Sequence, residues 1–392
     1  MEDVIYVTAN YRINEFGFLA SEALRKDSPD GSVGNYGLQD QRFAMKWAQD
    51  NIENFGGDPN LVTIQGESAG AGSVSCHLVS PLSKGLFKRA IMESGPISAW
   101  SAQSFDLSTQ KYHAIVSNTS CNNHKLYSME NDDVLECLRN LTTQEIMSAA
   151  GNLRSGILEW SPVVDGVEIP DDPRNLASEG RVHNVPVLLG SNKDEGTYFV
   201  NIPRNISTST FHNHLEKMLG KDLAQSAAEH YPPSQYSSPW WALTHLIGDS
   251  VMTCPTRRTA RWLTGREEAA NVYEYFFQHE PEFSERCDLN WGAYHSSELI
   301  YVFNMQSLLW TEGEKNLSLQ MVRYWTKFAR YGNPNGVGDL RWPAYSNSSD
   351  TLLVLDTPEV FNESNVNSEK CNFWDKQDLP SSFVWGYSDN FV

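Results

Sequence analysis

A chain of 392 residues, 40% hydrophobic and 20% charged, is long enough to bury a large core, and α/β folds of this size are commonly one domain. Its formal net charge of −19 excludes a nucleic-acid phosphate partner, which needs a basic face. No apolar run is long enough to span a bilayer, no Cys-x-x-Cys pair or companion ligand for His212-Asn213-His214 supports a metal, and no glycine-rich phosphate loop opens a helix, so no cofactor is implied.

In chain order, Gln39 to Phe55 reads as an amphipathic helix with Phe43, Ala44, Trp47, Ala48, Ile52 and Phe55 on one face. Val62-Thr63-Ile64 reads as a buried strand and Ala71 to Val79 as the helix that follows. Between them stands Gly66-Glu67-Ser68-Ala69-Gly70. A serine on a sharp strand-to-helix turn is strained, which pushes its hydroxyl out above the sheet. Gly66 and Gly70 are expected where a β-carbon would collide with the neighbouring strand or helix. The same turn aims the Ala69 N–H at a developing oxyanion, helped by the positive end of the helix. Val185 to Leu189 and Val272 to Phe277 are further strands, and Asn316 to Tyr331 is a helix packing through Met321, Val322, Trp325 and Phe328. Ser234 to Ser238 and Gly336 to Gly338 read as loops, and no repeat or linker divides the chain.

A nucleophile needs a base, and the base an orienting acid; on a strand-turn-helix scaffold these follow the serine as acid, then histidine. The second strand runs into Gly190-Ser191-Asn192-Lys193-Asp194-Glu195-Gly196, and the third is followed by Trp291-Gly292-Ala293-Tyr294-His295-Ser296-Ser297-Glu298. Loops at the C-terminal edge of an open α/β sheet are where sites form. Spacing alone selects neither one histidine among ten nor Asp194 over Glu195.

Gly66-Glu67-Ser68-Ala69-Gly70-Ala71, Asn192 to Phe199 and Gly292 to Leu299 resemble the three signature stretches of the type-B carboxylesterase and cholinesterase family. Asn10-Tyr11-Arg12, Phe16-Gly17-Phe18-Leu19, Gly34 to Arg42, Phe55 to Pro59, Met92-Glu93-Ser94-Gly95 and Trp325 to Pro334 fit the same resemblance, in family order along essentially the whole chain. It implies an α/β-hydrolase fold, a mostly parallel sheet with helices on both faces. It implies a serine ester hydrolase acting through an acyl-enzyme, with Ser68 as nucleophile, Glu195 as acid and His295 as base, on a small-molecule ester and without a cofactor. Glu67, Ser94 and Asp249 match supporting positions, and Tyr198 and Phe199 fall where the family lines its pocket.

One departure stands against these matches. The family carries a His-Gly-Gly-Gly-like turn upstream of the strand that here is Val4 to Ala9, and this sequence starts at Met1 without it. The strand preceding that turn would lie between Val4–Ala9 and the strand ending at Ser68, so its loss leaves two unpaired edges in a buried sheet. The expectation is a fragment lacking its N-terminal strands. Removing one oxyanion donor typically costs roughly 10²–10³ in kcat, and here the whole turn is absent, so little or no hydrolysis by the chain alone is expected. A catalytically silent family member, or one with an adhesion-type binding role, is the alternative.

Asn118, Asn140, Asn205, Asn316, Asn347 and Asn362 each begin Asn-x-Ser/Thr, which in a secreted protein marks surface glycosylation. The first residues do not resemble a signal peptide: Glu2 and Asp3 stand where a basic region would be. Six cysteines allow 15 full pairings. Position in the family favours Cys121–Cys137, a loop whose closure is worth roughly 3 kcal/mol, and Cys254–Cys371. Cys76 reads as a buried thiol and Cys287 as left over, with a bridge between them open.

Overall fold

A computed structural model describes residues 4–123, 129–151, 160–287, 289–377 and 379. Six strands form one sheet: β1 (Thr63–Glu67), β2 (Arg89–Glu93), β3 (Val187–Asn192), β4 (Val272–Phe277), β5 (Thr351–Leu355) and β6 (Phe361–Ser364), hydrogen-bonded in that order. The first five run parallel; β6 returns antiparallel to β5. The expected α/β architecture is thus present, with four of these strands continuing into segments that matter below.

Alternation along the strands divides the apolar residues between two faces. Ala90, Met92, Val187, Leu189 and Val272 pack with α1 (Tyr36–Asn51), α2 (Ala69–Val79) and α4 (Cys254–Thr264) through Met45, Val74, Leu78, Ala260 and Leu263. Ile91, Leu188, Tyr273, Tyr275 and Phe277 point the other way, onto Leu317, Met321, Tyr324, Trp325 and Phe328 of α5 (Glu312–Tyr331). Helix α5 starts four residues before its predicted first residue because Thr311 and Glu314 form a reciprocal capping box. Tyr324 rather than Val322 completes its buried stripe. A third core surrounds α3 (Pro239–Gly248), which carries Trp240, Leu243 and Leu246, and includes Trp374 of α6 (Ser368–Trp374).

Both expected disulfides form, with Cα separations of 5.7 Å for Cys121–Cys137 and 4.8 Å for Cys254–Cys371. The first closes a satellite core with Tyr112, Val116, Val134 and Leu138. Cys76 is buried and Cys287 exposed, each a free thiol, so no bridge joins them. Among the described residues no helix is long and apolar enough to cross a membrane.

Two expectations fail, in the same place. Residues 4–9 form no strand: their backbone joins no ladder, and Val4, Ile5, Tyr6 and Val7 are 44–55% exposed. The stripe predicted for α1 and its last turn faces outward at its aromatics, with Phe43 72% and Phe55 63% exposed; Ile52 of the stripe is buried, and Leu38 and Met45 supply the rest of the buried side. The last turn, Ile52–Phe55, tightens into a 3₁₀ helix. Strand β1 pairs with β2 alone among the described residues, so no described strand stands on its outer edge to pair with residues 4–9.

Candidate active site

The ends of β1 to β4 lead to one edge of the sheet, and each delivers part of the site. After β1 the chain turns sharply into α2 at Ser68, whose φ of 55° and ψ of −120° lie outside the regions an L-residue favours. Such a conformation costs on the order of 1–3 kcal/mol and persists only where its surroundings impose it. Here the Ser68 N–H donates to Glu93 O at 2.8 Å and its carbonyl accepts from Gly72 N at 2.9 Å. A β-carbon on Gly66 would stand 2.2 Å from the Gly70 carbonyl carbon, as the motif predicts. At Gly70 the expectation is wrong: a β-carbon there meets nothing within 4 Å. Its free side opens beside the serine. The tight approach is made instead at Gly95, where a β-carbon would lie 2.5 Å from Ser68 O.

His295 is 3% exposed and bonded at both ring nitrogens: Nε2 lies 2.8 Å from Ser68 Oγ and Nδ1 2.6 Å from Glu195 Oε2. The ambiguity between Asp194 and Glu195 is resolved by this geometry in favour of Glu195 as the partner of the ring. The other Glu195 oxygen accepts from Ser94 Oγ at 2.6 Å and from Asn192 N at 2.7 Å. A wholly buried carboxylate so satisfied has little freedom to turn. Ser94 and Ser296, like Ser68, have positive φ, of 50° and 73°, so each of these three loops carries a residue in an uncommon backbone conformation.

Glu67 Oε1 sits 3.3 Å from His295 Nε2 and accepts from Ser296 Oγ at 2.7 Å. Burial raises its pKa, against the lowering by His295 and the Ser296 bond. At His295 burial alone would favour the neutral ring, but the charge and hydrogen bond of Glu195, with the charge of Glu67, outweigh it and hold the pKa above the ordinary 6.5. Glu93 is pushed up to about 8 and Glu298 well above its usual range, in both cases first by burial. The rings of Phe199 and Tyr198 stand 4.8 and 5.7 Å from the His295 ring. Tyr198 is exposed while Phe199 packs partly into the α3 core.

Ala69 is the first residue of α2, so its N–H belongs to the turn that has no intrahelical acceptor. Asp249 does not join the site. It is buried, accepts from Tyr231 Oη at 3.0 Å and Asn367 Nδ2 at 3.3 Å, and lies 3.9 Å from Lys370 Nζ, bracing α6 rather than the histidine. Residues not singled out individually from sequence are Asn192 and Ser296, which with Asp194, weighed only as the alternative acid, hold the loops in register. All three lie inside the signature stretches, but only the fold shows what they touch. Among the described residues no three His, Cys, Asp or Glu side chains converge to hold a metal ion.

A mostly parallel sheet flanked by helices, with a serine on the strand-to-helix turn, is the α/β-hydrolase fold. A model of the carboxylesterase family matches residues 1–374, and the chain belongs to that family. It is 32% identical over 403 residues to an acetylcholinesterase of Leptinotarsa decemlineata, covering 95% of this chain and 62% of that protein. It is 33% identical over 414 residues to an acetylcholinesterase of Bungarus fasciatus, covering 95% and 64%. With a cholinesterase of Mus musculus the identity is 31% over 411 residues, again 95% and 64%. The chain thus spans a little under two thirds of the length of these relatives.

Proposed function

We propose that this chain carries the machinery of a serine carboxylic-ester hydrolase, with Ser68 as nucleophile, His295 as general base and acid, and Glu195 as the group that orients His295. The observation that carries the reading is the continuous series Ser68–His295–Glu195, with bonds of 2.8 and 2.6 Å at the sheet's C-terminal edge. With Glu195 ionised, His295 keeps its proton on Nδ1, which leaves Nε2 to accept from Ser68. As Oγ attacks the ester carbonyl carbon, its proton passes to Nε2 and the carbonyl oxygen takes the negative charge, facing the Ala69 N–H. Collapse breaks the bond to the alcohol, which leaves with the proton from Nε2 and an acyl group on Ser68. Water then gives its proton to His295 as it attacks the acyl carbon, and the acid departs while Ser68 regains its hydrogen. Glu195 and Glu67 both stabilise the imidazolium that forms twice in this cycle.

The substrate class is a small carboxylic ester. The flanking Tyr198 and Phe199 rings and the net charge of −19 favour an ester with an apolar acyl group and suit, by steering, a cationic alcohol portion. The relatives' names make choline esters the first cationic candidates to compare with neutral aryl esters. A secretory-pathway location goes with this reading: all six sequon asparagines are exposed, and two disulfides suit an oxidising compartment. The test is Ser68-dependent release of p-nitrophenol from an activated aryl ester by the 392-residue chain. Release that disappears in Ser68→Ala supports the reading; release that survives it contradicts it.

A further inference from the structure

We propose that His245, on α3 and outside the Ser68–His295–Glu195 series, is a positioning residue that fixes the His295 loop through Asp194; the inference rests on the esterase reading above. The His295 loop is stitched to the loop carrying Glu195. Asp194 N donates to Ala293 O at 3.0 Å, Asn192 Nδ2 to Tyr294 O at 2.8 Å, and Thr197 Oγ1 to Trp291 O at 2.9 Å. A further stitch is the Ala293 N–H, which donates to Asp194 Oδ2 at 2.8 Å. The approach is so close that a β-carbon on Gly292 would stand 2.2 Å from that oxygen. A carboxylate that turned about its χ2 would release Ala293, two residues before His295.

What opposes that rotation is the other oxygen. Asp194 Oδ1 lies 3.3 Å from His245 Nε2, in a carboxylate that is 7% exposed. The imidazole is itself held, with the Tyr236 and Trp241 rings 5.1 and 6.0 Å from its own. Helix α3 in turn packs against the Glu195 turn without a side chain between them, for a β-carbon on Gly196 would fall 1.9 Å from Thr244 O. Around the pair, Lys370 of α6 and Lys193 face His245, while Lys193, Glu280 and Glu195 face Asp194. Burial first, then the two lysines, keep His245 neutral at working pH. The neutral ring therefore faces the carboxylate with Nε2 3.3 Å from Oδ1, at a height set by α3. Misplacement of a reacting group by about 1 Å can cost 10²-fold, so a loosened clamp is felt in the chemical step.

His245→Leu removes the polar contact with Asp194 at similar bulk, His245→Gln keeps a polar group at a comparable reach, and Asp194→Asn removes the carboxylate's charge. In the 392-residue chain with an aryl ester, His245→Leu is expected to lower kcat about tenfold with KM within about twofold. His245→Gln should recover most of the loss, and Asp194→Asn combined with His245→Leu should be no worse than the poorer single change. The downfield proton resonance of His295 Nδ1, read by NMR without substrate, should be sharp in the wild type and His245→Gln and exchange-broadened in His245→Leu. A wild-type kcat and sharp resonance in His245→Leu overturn the proposal. So does equal damage in the Leu and Gln variants, which is packing alone, or fully additive losses in the double variant. Turnover that survives Ser68→Ala is a failure of the esterase reading, and the resonance alone then decides whether His245 positions His295.

Discussion

Ser68 stands between two regions built to different standards. On one side β2, β3 and β4 run fully paired, and every loop they lead into is bonded to its neighbour: Ser94 and Asn192 to Glu195, Glu195 to His295, Asp194 to Ala293. On the other side β1 has no second partner strand among the described residues, and Val4 to Val7, Phe43, Trp47 and Phe55 are exposed. The serine's strained turn is nonetheless held, because its restraints come from the paired side: its N–H from Glu93, and Gly95 packed against its carbonyl. Position of a nucleophile and completeness of the sheet around it are thus separable. The first depends on a few contacts with one neighbouring strand; the second concerns a whole edge.

The largest effect that sharpens this contrast falls on the paired side. Glu195→Gln replaces the buried carboxylate without removing its bulk, leaves His295 free to take the wrong tautomer, and should lower Ser68-dependent esterolysis by about 10⁴-fold. Steady-state rates against the wild type check it. A smaller change in the same region would show that the geometry around His295 is not what activates Ser68. Next comes Gly196→Val, which drives a branched side chain into the Thr244 carbonyl. Overpacking of this kind costs about 1–3 kcal/mol, more where backbone is struck, and urea unfolding should show the midpoint falling accordingly.

The same experiment on the open side should read almost nothing. Trp47→Ser on the exposed stripe is expected to change stability by no more than about 0.5 kcal/mol, while reducing self-association, since a contiguous exposed apolar patch is an aggregation surface. A loss of several kcal/mol there would mean that the stripe is covered in the folded chain. The subtlest expected difference is in hydrogen exchange. Amides of β1 that face its outer edge should exchange faster than those of β3 and β4, whose backbones are paired on both sides. Equal protection across the three strands would erase the contrast drawn here.

The contrast also explains which parts of the molecule were legible in the amino-acid order. The run from Val62 through Val79, the strand at Val272–Phe277 and the motifs around Ser68, Glu195 and His295 are local signals, and the residues they name lie together. The two disulfides follow the family's positions. What failed depended on partners that a local pattern does not contain. The stripe through Phe43 and Trp47 has helical period, but period says only that one side differs from the other, not that a neighbour exists to bury it. Val4 to Ala9 is a β-branched run that forms no strand without a ladder. Asp249, matched to a supporting role, braces Tyr231 and α6 instead, and Asp194 works as a clamp on Ala293 rather than as the partner of the histidine. Those distinctions lie in side-chain direction across loops far apart in sequence.

The central claim is that His295, charged-partnered by Glu195, activates Ser68. Its pKa is held above 6.5, and only the neutral ring accepts the serine proton. Reactivity must therefore be lost as pH falls through that raised value, and be fully present above it. The direct measurement is the rate of covalent labelling by a fluorophosphonate as a function of pH, with the adduct located by peptide mapping. The account predicts a single adduct, on Ser68, with a rate half-maximal above pH 6.5 and abolished by His295→Gln. An adduct on another residue, or labelling of Ser68 that is indifferent to pH and to His295→Gln, would contradict it.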